Sequence, residues 1–189
     1  MAVEAWIGPV IIAAGIAAVV NVLGWIVAGK RDRRANELRR QERQLDISTA
    51  LFAEIVHYRD ALAFFDLDAQ WESVVSEMEA DETYVPFIPS ERNDTIFQAI
   101  VGEIHILPQP VIQPVARYYN QVFAIEAIIE DLRSPAFAAE LSAKRISVYT
   151  DYISLKKQAL IDGDSAIAAL SQHLSVSGTR TALTENGGR

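Results

Sequence analysis

Residues 5–28 read AWIGPVIIAAGIAAVVNVLGWIVA, and after one glycine residues 30–43 read KRDRRANELRRQER. The first block holds 24 residues without a charge, and Asn21 is its one strongly polar side chain. At ~1.5 Å per residue a helix of that length crosses a hydrocarbon core of ~30 Å. Trp6 and Trp25 stand about 28 Å apart along such a helix, the spacing of two indole belts at opposite headgroup levels. Pro9 falls near the start, where a missing N–H costs least. A cleaved signal peptide needs a basic leader and a shorter apolar core, whereas Met1, Ala2, Val3 and Glu4 precede this one. The block therefore reads as a retained transmembrane anchor over residues 1–29.

The second block carries seven basic and three acidic residues. Lys30, Arg31, Arg33 and Arg34 mark the membrane interface on that side, and no basic residue precedes the span. The positive-inside rule then places the N-terminus outside and the rest of the chain in the cytoplasm, which puts the protein in the cell inner membrane. The net charges of residues 1–29, 30–43 and 44–189 are −1, +4 and −11, which make up the −8 of the whole chain. Three regimes of charge point to an anchor, a basic juxtamembrane stalk over residues 30–44 and an acidic body. The acidic body repels phosphate, which argues against a nucleic-acid partner. Arginine outnumbers lysine thirteen to four, a composition that leans toward a bacterial source.

Within the span, Ala17, Asn21, Gly24 and Ala28 recur at steps of four, three and four and share one helix face. Small residues let helices approach, and an amide in hydrocarbon favours a partner across the interface. That face is a candidate self-association seam for a homo-oligomer.

Beyond Leu45 the apolar residues Leu51, Phe52, Ile55, Val56, Tyr58, Leu62 and Phe65 recur mostly at steps of three and four, the helical period. Residues 66–80 predict a second helix with Trp71, Val74, Val75 and Met78 on one side. Pro86 and Pro89 end it in an apolar segment that either covers the core or forms a docking strip. A third helix is predicted from Asn93 to Leu107, capped by Asn93 or Asp94, with Ile96, Ile100, Ile104 and Leu107 buried. A fourth begins near Pro114 and buries Val115, Tyr118, Tyr119, Val122, Ile125, Ile129 and Leu132. Ser134-Pro135 reads as a cap followed by proline at the first helical position. The fifth helix it opens runs through Phe137, Leu141, Val148, Tyr152, Leu155 and Ala159 to about Ile161. Asp162-Gly163-Asp164-Ser165 then reads as a break before a short helix over residues 166–174. Residues 175–189 are poor in apolar side chains and read as a disordered tail. No segment alternates with period two. The predicted fold is all-α, a bundle of four or five helices over residues 45–174.

The chemistry is sparse. There is no cysteine, which excludes thiolate metal sites, disulfides and a cysteine nucleophile. Glu54-x-x-His57 has the spacing used in carboxylate-bridged di-iron bundles, but such sites need a second copy. Gly102 and Leu170 stand three residues before the other histidines, His105 and His173. Asp162-Gly163-Asp164 lacks the late glutamate of a calcium loop. No glycine-rich phosphate loop or nucleophile elbow is present. The sequence thus predicts neither a metal, a cofactor nor a catalytic group. It leads to the expectation of a membrane-anchored interaction or scaffold protein with the bilayer and an unidentified cytosolic protein as partners. The alternative is a membrane-acting effector, a toxin or phage-defence component, that oligomerises through the span.

Overall fold

The computed structural model describes the backbone of residues 7–186 and the side chains of residues 31–177. Among these there is no strand. The elements are α1 (Ile7–Ala63), α2 (Leu67–Ala80), α3 (Thr95–Ile100), a 3-10 helix (Val101–Ile106), α4 (Gln109–Leu132), α5 (Pro135–Ala139) and α6 (Ser142–Asn186). The chain divides into two compact units at Arg43/Gln44, with α1 contributing to both. Among the described residues no helix is long and apolar enough to cross a membrane. The span assigned to residues 5–28 lies outside the residues whose side chains are described.

The second unit is a helical bundle. Its long members are the end of α1, α2, α4 and α6, and α6 packs along both α4 and α2. The reason is visible in three stripes with steps of three and four. On α1 the buried residues are Ile47, Ser48, Leu51, Ile55, Tyr58 and Leu62. On α4 they are Val111, Val115, Tyr118, Tyr119, Val122, Ile125, Ile129 and Leu132. On α6 they are Arg145, Tyr149, Tyr152, Ile153, Lys156, Ala159, Asp162, Gly163, Ala166 and Leu170. Stripes of this period face neighbours that run nearly along the helix axis, which is the packing of a bundle.

Several boundaries are local. Asp66 caps α2, its carboxylate accepting from the backbone N–H of Asp68 and Ala69. Ser134 caps α5 by accepting from Phe137 N–H, with Pro135 at the first position as predicted. All seven residues predicted for the buried face of the fourth helix are buried. That helix starts at Gln109, however, and Pro114 lies inside it. The Pro108 carbonyl accepts from Val111 and Ile112, so the first turn forms ahead of the proline, and burial of Val111 extends the stripe by one turn.

Other expectations need correction. The third helix is divided, with α3 giving way to a tighter 3-10 turn at Val101, and Phe97 is buried where Ile96 and Ile100 are only half-buried. Asp94 occupies the cap position of α3 without capping it. The fifth helix is interrupted at Glu140 and Leu141, and Leu141 is 80 % exposed. The buried Arg145 guanidinium donates to the carbonyls of Ala138, Glu140 and Glu82, so it takes up the open end of α5 and ties it to the loop after α2. Ser142 Oγ donates to Met78 O at 2.6 Å and fixes the start of α6 against the end of α2. Phe65 lies past the end of α1 and is exposed, its ring edge-on to Phe64.

The largest correction concerns residues 162–165. Helix α6 runs through them and on to Asn186, so the expected break is absent. Gly163 is not a helix stop here, since no glycine among the described residues has positive φ. It belongs to the stripe, between Ala159 and Ala166, where three small residues let α6 come close to its neighbours. A Cβ at Gly163 would stand 3.3 Å from Arg59 Cγ on α1 and 3.4 Å from the Tyr118 ring on α4. Gly163→Leu should therefore destabilise the bundle by about 2–3 kcal/mol through overpacking. Gly163→Ala should stay within about 1 kcal/mol of the parent, because its gain in helix propensity offsets the tight contact. Thermal melts of the two variants check this contrast.

Candidate functional site

The segment between α2 and α3 alternates in burial. Pro86 and Ile88 are buried and Tyr84 is half-buried, while Val85 and Phe87 face outward. Its inward residues cover the core. Its end delivers Glu91 to a space between α1 and α6. There the Glu91 carboxylate meets three donors. Lys156 Nζ donates to Oε1 at 2.6 Å, Tyr152 OH to Oε1 at 3.2 Å and Tyr58 OH to Oε2 at 3.0 Å. The Lys156 and Glu91 side chains are only 10 % and 18 % exposed. Lys156 Nζ also lies 4.7 Å from the centroid of the Tyr152 ring, a cation–π contact.

A cavity of about 350 Å³ opens on this cluster. Tyr58, Leu62 and Phe65 form an apolar wall, and Ser90, Arg92 and Asn93 form a polar one. Arg92 is 78 % exposed, and its Nε is 3.7 Å from the buried Asp94 carboxylate.

A second polar cluster sits deeper along α1. The Glu54 carboxylate accepts from the backbone N–H of Ile96 at 2.5 Å and of Phe97 at 3.0 Å, and from Tyr119 OH at 2.6 Å. Glu54 thus supplies from α1 the cap that Asp94 does not give α3. The Phe97 ring stacks on Tyr119 with centroids 3.8 Å apart, which locks the same junction. Glu54 is committed to this bonding, and His57, its partner in the metal-like spacing, is exposed. Among the described residues no group of three or more acidic or histidine side chains is placed to hold a metal. Asp164, from the calcium-like triplet, bonds Arg59 Nε at 2.7 Å.

Burial raises the phenol pKa values of Tyr58, Tyr118, Tyr119, Tyr149 and Tyr152. At Tyr58 and Tyr152 desolvation is the main cause, followed by the charge of Glu91 and the hydrogen bond to it. At Tyr118 and Tyr119 desolvation is followed by the effect of Glu54. Tyr149 is pushed up to about 12, mainly by burial. Each phenol is held neutral in the fold while an unfolded one ionises near pH 10. The stability from these groups is full below pH 10 and falls as pH rises toward their folded values, by about 1.4 kcal/mol per tyrosine per pH unit. In an alkaline titration, phenolate absorbance should rise together with the loss of helical circular dichroism, as one cooperative event above pH 10.

Of the residues singled out from sequence, Arg31, Arg33 and Arg34 are exposed on α1 in the first unit. Trp6, Trp25, Lys30, Ala17, Asn21, Gly24 and Ala28 lie outside the residues whose side chains are described. Sequence reasoning missed Glu91 and Lys156. The available signal was a lysine on the buried stripe of α6, one turn after Tyr152. Comparison with protein-family models, curated proteins and solved structures finds no match.

Proposed function

We propose that the protein is a single-pass, membrane-anchored interaction protein whose helical body lies in the cytoplasm and presents an acidic surface to another protein. The observation that carries this reading is the charge discontinuity in the sequence: 24 uncharged residues from Ala5 to Ala28, then net +4 over residues 30–43. The body supports it in a second way. Its most buried charged pair, Lys156 and Glu91, and its half-buried carboxylate cap, Glu54, are held in internal hydrogen bonds that order the fold. The face of Ala17, Asn21, Gly24 and Ala28 is the proposed seam between copies of the anchor.

A cytoplasmic reporter fused after Arg43 should be active, a periplasmic one silent, and alkaline carbonate should leave the protein in the membrane pellet. An active periplasmic reporter or carbonate release would reject the anchor or its direction. Collapse of the membrane potential on induced expression would favour the effector reading instead.

A further inference from the structure

We propose that the cavity between α1, α6 and the Ser90–Asn93 segment is a binding site for a small aromatic carboxylate. Three features define the ligand. The first is size: about 350 Å³ lies at the lower end of the range for small-molecule sites. The second is the wall of Tyr58, Leu62 and Phe65, two aromatic rings and one aliphatic side chain, which suits a flat apolar body. The third is an excess of hydrogen-bond donors. The lining carries Lys156, Arg92 and the Asn93 amide, against Glu91 as the one charged acceptor.

Glu91 does not repel the ligand, because its charge is already matched. Its two oxygens take donors from Tyr58, Tyr152 and Lys156. Lys156 spends one N–H on Glu91 and turns toward the Tyr152 face, and no further acceptor for it is found among the described residues. Arg92, across the mouth, makes a long contact to Asp94, feels the charge of Glu126, and keeps most of its guanidinium in solvent. A carboxylate seated between Lys156 and Arg92 would gain charge-assisted bonds that a neutral ligand cannot. The buried position of Lys156 makes that end of the site ordered before the ligand arrives.

The probe is phenylacetate, with phenylacetamide as the neutral isostere and phenethylamine as the cation. The full chain is kept in nonionic detergent, with detergent alone as the blank, and binding is followed by saturation-transfer NMR and calorimetry. Phenylacetate should bind about tenfold tighter than phenylacetamide, and phenethylamine weaker than either. Arg92→Gln should weaken phenylacetate about three- to tenfold. Ala61→Trp, at an exposed helix position on the cavity edge, should abolish binding with the helical circular dichroism unchanged. No transfer to phenylacetate, equal affinity for the amide, preference for the amine, or parental binding in either variant would overturn the proposal.

Discussion

Lys156→Met should lower the melting temperature of the bundle by roughly 6–20 °C, equivalent to about 3–5 kcal/mol. The methionine fills much of the same space, so the loss comes from Glu91. Its carboxylate would keep two phenol donors, from Tyr58 and Tyr152, but lose its counter-charge in a site where it is 18 % exposed. A buried charge without its partner is far more costly than the pair is stabilising. The double variant Glu91→Gln with Lys156→Met should therefore melt closer to the parent than Lys156→Met alone. The glutamine still accepts from the phenols and carries no charge. Thermal melts of the parent, both single variants and the double variant give the coupling, and simple additivity would show that the two groups are independent.

Glu54→Ala should cost a similar amount, about 3–5 kcal/mol, by a different route. Three donors lose their acceptor at once: the N–H groups of Ile96 and Phe97 and the hydroxyl of Tyr119. Each orphaned, partly buried donor costs about 1–3 kcal/mol. Because α3 has six residues and no cap of its own, the loss should be local before it is global. Amide exchange at Ile96 and Phe97 should accelerate most, while α4 and α6 keep their protection. Glu54→Gln keeps one carbonyl oxygen and should retain about half of the stability. Unchanged exchange in Glu54→Ala would mean that α3 is held by Phe97 packing alone.

Neither effect was visible in the pattern of residues. Glu54 attracted notice as half of a metal-like spacing with His57, and its actual partners lie on α3 and α4, more than forty residues away. Nothing within a turn of Glu54 signals that a distant helix lacks a cap. Glu91 was equally silent, placed in an irregular segment whose proline content indicates only that a helix ends. Gly163 was misleading for a related reason. A glycine between aspartates has the local composition of a helix stop, and only the proximity of Arg59 and Tyr118 explains why the position must be small.

What the sequence by itself determined is the part of this protein governed by short range. The steps of three and four made the body helical and chose the buried face of α4 residue by residue, because burial of a helix repeats every turn. Asp66 and Ser134 set the starts of α2 and α5, because a cap reaches only two or three residues ahead. The tertiary structure alone decided the rest: that α6 runs unbroken through Gly163, that α3 borrows its cap from α1, and that Lys156, Glu91, Tyr58 and Tyr152 meet. These depend on which helices become neighbours. A polar side chain in the interior takes whatever complementary group the packing brings within about 3 Å, and the chain gives no local sign of which one that is.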